Sequence, residues 1–237
     1  MRLFNGFAIA VAVTLCTSPF LGAQAPAQQD GSVAVKDGGI FAKGWQGKID
    51  AQEEKAGQKI ENARLSEKGN VLTVRTGPAT TYWNPANRAT GNYTVKATFT
   101  ESNYMGLNDH PHPYGIVIAG NDLGTENQSY LYCSAYGNGT FIVRGMGPAP
   151  FQVSARKPEP NAAINKAAGK NSPVKQDIAV TVDGDTISCA INGTTVGTYK
   201  KADVVTAGKL KSTDGVYGVR FAHNTAATVT NLKVTKK

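Results

Sequence analysis

The sequence predicts an all-β protein built as a two-sheet antiparallel β-sandwich. Three observations carry this. From Gly69 onward the chain is a series of short apolar runs alternating with polar residues, the mark of half-buried strands. The runs are separated by Gly, Asn, Asp and Pro at intervals too short for helices. Three separators are hairpin signals in which residues tolerant of positive φ sit between apolar runs: Gly137-Asn138-Gly139, Asp183-Gly184-Asp185 and Asn192-Gly193.

The elements follow in chain order. Residues 1–27 read as an export signal, because Arg2 precedes an apolar run from Phe7 to Cys16 and small residues lead into Ala25-Pro26-Ala27. That run is about ten residues, short of the roughly 20 of a membrane-spanning helix, and no later stretch is continuously apolar. The expected location is therefore the periplasm or the cell exterior, with no transmembrane segment. About 210 residues then remain, 28–237, which suits a single sandwich domain. Gln52 to Glu61 suits a short exposed helix. Strands are expected at Val71 to Thr76, Tyr93 to Thr100, Gly115 to Ala119, Ser129 to Tyr136, Thr140 to Arg144, Asp177 to Val182, Thr186 to Ile191, Thr194 to Tyr199, Gly215 to Ala222 and Ala227 to Val234. The stretch from Ala155 to Lys175 lacks alternation and reads as a long surface excursion, with a helical turn around Ala162 to Ala168.

Strand alternation assigns faces. Leu131, Cys133 and Ala135 share a core face, as do Ile187, Cys189 and Ile191. Both cysteines therefore point inward, and an oxidising compartment allows one disulfide between them; two free core thiols satisfy the sequence equally. Tyr130, Tyr132 and Tyr136 lie on the opposite face, and Arg144 and Arg220 join them if their strands share the sheet. Flat rings and guanidinium forks are what sugar recognition uses. Trp83, beside Tyr82 and followed by Asn84-Pro85, is expected in a loop at the edge of that surface as the wall of a sugar subsite. Trp45 is expected to pack the first strand onto the core. Paired Tyr and Arg residues that merely stabilise the sheet are the competing reading.

The formal charge of +8 comes mainly from lysines spread along the chain. With no block of arginines and aromatics, nucleic acid is not an expected partner; acidic polysaccharide or an anionic envelope is. No G-x-S-x-G elbow, phosphate loop or dinucleotide fingerprint occurs.

Gly91-Asn92-Tyr93-Thr94-Val95, His112-Pro113-Tyr114-Gly115-Ile116-Val117-Ile118, Asp214-Gly215-Val216-Tyr217-Gly218-Val219-Arg220-Phe221 and the closing Asn231-Leu232-Lys233-Val234 follow one another in an order that resembles the concanavalin A-like lectin and glucanase superfamily. Its LamG-like and keto-disaccharide hydrolase-type domains are included in the likeness. The chain also resembles a group of exported bacterial proteins through Gly77-Pro78-Ala79 and Tyr82-Trp83-Asn84-Pro85, a likeness that implies no activity. The superfamily resemblance implies a jelly-roll sandwich and glycan binding or cleavage. The paired carboxylates of its glucanases, E-x-D-x-E or E-x-D-x-x-E, are missing, as is its alginate-lyase pattern.

Glu101 and Asp109, with Asp122 nearby in sequence, are the only carboxylates that suit an acid/base role. His110 and His112 flank Pro111 and can face one metal, with His223 as a conceivable third ligand; two histidines do not define a zinc site, and no cofactor is assigned. Calcium stays open, because carbonyls and single aspartates suffice for it. The leading expectation is a secreted, non-catalytic protein that binds carbohydrate or envelope glycan. A keto-disaccharide hydrolase-type glycosidase and a structural or protein-interaction sandwich without a small ligand are the alternatives. Oligomeric state is not legible.

Overall fold

A computed structural model describes residues 31–237, so the expected export signal at 1–27 lies outside the described residues. In chain order the strands are β1 (Gly39–Phe41), β2 (Gln46–Ile49), β3 (Arg64–Lys68), β4 (Val71–Arg75), β5 (Thr80–Ala89), β6 (Tyr93–Glu101), β7 (Tyr114–Asn121), β8 (Ser129–Ala135), β9 (Thr140–Met146), β10 (Pro150–Gln152), β11 (Glu159–Pro160), β12 (Val174–Asp183), β13 (Thr186–Ile191), β14 (Thr194–Lys200), β15 (Gly215–Phe221) and β16 (Ala226–Lys236). Two short helices, α1 (Ala51–Lys55) and α2 (Lys201–Val204), lie between them. No helix among the described residues is long and apolar enough to cross a membrane.

The strands form two sheets. The first has the order β1-β3-β4-β16-β6-β12-β13-β14 and the second β10-β9-β8-β7-β15-β5-β2, with β11 also on β9. All pairs are antiparallel except β1 with β3. Alternation decides what meets between the sheets: Val95, Phe99, Ile178, Val180 and Ile187 of the first pack against Ile116, Leu131, Val143, Val219 and Phe221 of the second. Cys133 of β8 and Cys189 of β13 are bonded across this core, their Cα atoms 6.2 Å apart. The disulfide thus joins the two sheets directly.

The ten expected strands are all present, and the three hairpins close where their turn residues sit. β5 was not expected, because Pro85 lies inside it. β2 pairs with Thr80 to Trp83, and β15 pairs with Thr80 to Trp83 and again with Arg88 and Ala89. Asn84 to Asn87 are left without ladder partners, so the missing N–H of Pro85 costs no hydrogen bond. The helix expected over Gln52 to Glu61 stops at Lys55, since Gly57 turns to φ +84° and ends it. A 3-10 turn at Ile60–Asn62 follows.

The turn expected around Ala162 to Ala168 is not helical. Asn161 and Ala167 donate their N–H groups to the carbonyls of Gly139 and Gly137 in the β8–β9 hairpin, and Ile164 is buried in the core. With β10 and β11, this excursion covers the outer edge of β9, which would otherwise present unpaired backbone groups.

Candidate functional site

The structure brings the expected tyrosine and arginine face together and then covers it. Tyr130 is 1% exposed, Tyr132 9% and Trp83 4%. Val117, Ile142 and Leu123 pack among the tyrosines as a second small core, and Gly124 approaches the Trp83 ring. Trp83 stands in β5, not in a loop, so it is no wall of an open subsite. Arg220 is committed internally: its guanidinium holds Asp50 through both carboxylate oxygens and donates to Thr81 Oγ1 at 2.9 Å and Tyr130 OH at 3.2 Å. It also lies 5.0 Å over the Tyr132 ring. Tyr136, Arg144 and, to a lesser extent, Arg220 keep part of their surface open, and Arg144 Nη2 donates to the Arg156 carbonyl. Burial of Trp83, Tyr130 and Tyr132 and the internal bonds of Arg220 leave little of the expected face open to a ligand.

Two adjoining concavities lie on the first sheet, while others of about 380 Å³ lie beside α2 and beside α1. On the outer face of the first sheet Thr98, Lys96 and Lys233 surround a trough of about 350 Å³ whose floor is low because Ala179 and Ala190 face each other across β12 and β13. Asp177 receives a 2.6 Å hydrogen bond from Thr98 Oγ1. Beside the trough, and sharing Asn231 and Lys233 with it, is a bowl of about 360 Å³ lined by Trp45, Glu67, Asn70, Asn84, Asn87 and Leu72.

Two irregularities build this junction. The unpaired Asn84 to Asn87 stretch of β5 presents two amides to the bowl, and Asn84 Oδ1 accepts from the Ala86 N–H, which fixes the turn. On β16 the register with β6 slips between Thr230 and Lys233, where Asn231 takes φ +57°. Such bulges re-aim side chains, and here one carries Asn231 and Lys233 into both cavities. Trp45 packs against the core as expected and, half-buried, also lines the bowl wall, whereas Trp83 is buried in β5.

The register also sets Lys96 directly opposite Lys233. Like charges facing across strands repel, and neither lysine makes a salt bridge among the described residues. The pair sets two positive charges in cavities that also hold the Asp177 and Glu67 carboxylates. One half-exposed ring, four asparagines, a glutamate and two lysines can stack on a pyranose, hydrogen-bond its hydroxyls and attract a carboxylate or sulfate on it.

Glu101 and Asp109 have different environments. Asp109 is exposed and bonded to His110, whose ring holds its carboxyl below the usual range. Glu101 ends β6 and is 6% exposed at a small cavity of about 110 Å³ shared with Arg75, Asn108 and Asn224. Its Oε1 accepts from the Met105 N–H at 3.4 Å, while Oε2 has no hydrogen-bond partner among the described residues. Burial pushes its carboxyl from an ordinary 4.5 up to about 7. The folded protein therefore holds a proton here that the unfolded chain has released. This contribution to stability is fully present below 4.5 and is lost as pH rises through about 7. Chemical denaturation between pH 4 and 8 should show a loss of roughly 3 kcal/mol from this group, and Glu101→Gln should flatten the profile and leave the protein more stable than the parent at pH 8. An unchanged slope in that variant would mean another group titrates.

His110 and His112 lie in the segment leading into β7 and come together with His223, which follows β15. They sit near the end of β16 that begins at Ala226, away from the bowl around its middle.

No family model matches the sequence, and no curated protein sequence matches it. Solved structures do resemble it in fold. The carbohydrate-binding module CBM66 from Bacillus subtilis is similar over 84% of this chain and 99% of its own, with a TM-score of 0.54 at 7% identity. A Bacillus subtilis protein of unknown function with a galectin-like fold is similar over 82% of this chain and 90% of its own, with a TM-score of 0.52 at 14% identity. At these identities the likeness is one of fold alone, a two-sheet antiparallel β-sandwich.

Proposed function

We propose that this protein is an exported, non-catalytic glycan-binding sandwich whose ligand is an acidic polysaccharide held on the first sheet. The observation that carries the reading is the junction at Asn231 and Lys233, where the Trp45 bowl meets the trough bearing the opposed Lys96 and Lys233. Trp45 stacks on one sugar ring, the asparagines bind its hydroxyls, and the lysines take the carboxylate or sulfate of its neighbour. A disulfide in the core and the architecture shared with a carbohydrate-binding module support export and glycan binding.

The test is a glycan array on the protein lacking residues 1–27, followed by titration calorimetry with the best ligand. Trp45→Ala is expected to weaken binding at least about 30-fold, the ~2 kcal/mol of an aromatic anchor. Lys233→Ala is expected to weaken it several-fold and to reduce its salt dependence. Tyr136→Ala with Arg144→Ala should leave it unchanged; loss of binding in that pair, with Trp45→Ala silent, moves the site to the second sheet.

Glycoside cleavage is the second reading, favoured by the raised carboxyl of Glu101. Against it, the Glu101 cavity is well below the ~300 Å³ at which ligand pockets begin. Reducing-end release from any array ligand, abolished in Glu101→Gln, would establish it.

A further inference from the structure

We infer that His110, His112 and His223 form a binding site for a divalent transition metal of the zinc class. One ring nitrogen from each lies within 4.8 Å of those of the other two. His110 and His112 come from a segment stiffened by Pro111 and Pro113, and His223 comes from the turn between β15 and β16, so the set converges only in the folded chain.

The hydrogen bonds around the set determine which nitrogens face inward. His110 Nδ1 is 2.6 Å from Asp109 Oδ1, and His112 Nδ1 is 2.6 Å from the carbonyl oxygen of His223. A carboxylate and a carbonyl only accept, so both Nδ1 atoms carry hydrogen. Each ring then directs the lone pair of Nε2 toward the other, and these two nitrogens are 2.8 Å apart. Opposed lone pairs at that distance repel unless a cation lies between them. A proton can serve, and so can a metal.

The geometry favours the metal once it is supplied. Tetrahedral ligation at about 2.0–2.1 Å places two imidazole nitrogens roughly 3.3 Å apart, which asks the facing pair to open by about 0.5 Å. The His110 ring is half-exposed and can make that movement. The His223 ring lies against His112, centroids 4.2 Å apart, in reach as the third donor. An imidazole hydrogen-bonded to a carboxylate or a backbone carbonyl through its other nitrogen is the outer arrangement that orients metal-bound histidines. Three neutral nitrogens select zinc, copper, nickel or cobalt over calcium and magnesium, which take oxygen. Asp109 acts here as a positioning residue for His110. Three protein ligands leave a fourth position for water or a ligand group.

The experiment is titration of untagged, chelator-treated protein with zinc by calorimetry, and with cobalt by visible absorption. Expected are one metal per chain at micromolar or tighter affinity, the intense visible bands of tetrahedral cobalt, and a zinc-dependent rise in Tm. His110→Ala, whose ring is exposed enough for the fold to tolerate its loss, should weaken zinc at least about 100-fold and abolish the cobalt bands. His223→Gln should do the same. Asp109→Asn should cost about 10-fold, within the range seen for outer-sphere partners, with cobalt bands retained. Absence of saturable binding at millimolar zinc would overturn the site, and so would unchanged affinity in both histidine variants with native circular dichroism. Glycan binding by Trp45 is read out separately, so either reading can fail without the other.

Discussion

Replacing Arg220 with alanine is expected to destabilise the protein by about 3–5 kcal/mol, the cost of removing one partner from a buried ion pair. For a domain of this size that lowers Tm by roughly 10–15 °C. The size of the effect follows from what the guanidinium satisfies. Its side chain is 11% exposed and its bidentate partner Asp50 26%. Nη1 lies 2.8 Å from Asp50 Oδ1 and Nη2 2.5 Å from Oδ2. Truncation leaves the Asp50 carboxylate facing a half-dry cavity, and it strips Thr81 and Tyr130 of a shared donor. Asp50 also begins α1, its carbonyl accepting from the Glu53 and Glu54 N–H groups, so the loss reaches the helix.

Arg220→Lys keeps the charge but cannot reproduce the fork, and it should recover only part of the loss. Asp50→Asn combined with Arg220→Met removes both charges and fills the space, and it should be more stable than Arg220→Ala. Urea unfolding followed by circular dichroism measures all three. A loss below about 1 kcal/mol for Arg220→Ala would show that the pair is solvated like a surface bridge, and the second sheet would again be open to the role first expected of it.

The fold was legible in the sequence because its strands are set by local rules. Alternation placed Leu131, Cys133 and Ala135 on the core, and Asn192-Gly193 turned the chain where it does turn. The misses share a physical cause. β5 carries Pro85, and its tolerance depends on neighbours that pair with either side of Asn84 to Asn87 but not with those residues themselves. Alternation also says which side of a sheet a residue takes, but not whether that side is wet. Tyr130, Tyr132 and Arg220 do share the outer face, yet the segment carrying Leu123 and the partner Asp50 close over them, and those contacts span long stretches of chain.

The bowl was hidden for the converse reason. Asn70, Asn84, Asn87 and Asn231 each look like turn residues, and only the two bulges and the register of β16 gather them around Trp45. Of the histidines, all three were named from the sequence, and the β15–β16 turn is what brings His223 beside the pair around Pro111.

Removing the disulfide by Cys133→Ala with Cys189→Ala is expected to cost about 3–4 kcal/mol. The bond closes a loop across a sequence separation of 56, for which the chain-entropy relation gives about 4 kcal/mol. Both sulfurs come from 1%-exposed residues at the centre of the sandwich, so truncation adds a small packing loss. Tm should fall by roughly 10 °C. Thiol titration of the denatured protein lacking residues 1–27 should find no free thiol before reduction and two after it; two free thiols at the outset, or a double variant as stable as the parent, would remove the staple from the account. The same argument separates stability from function. In this account the crosslink acts mainly on the unfolded chain, while β6, β12, β13 and β16 hold the trough through their own ladders. At 25 °C, below the lowered transition, the double variant should bind glycan with the affinity of the parent. A drop in affinity without unfolding would mean that the disulfide also fixes the position of β13, and with it the Ala190 floor of the site.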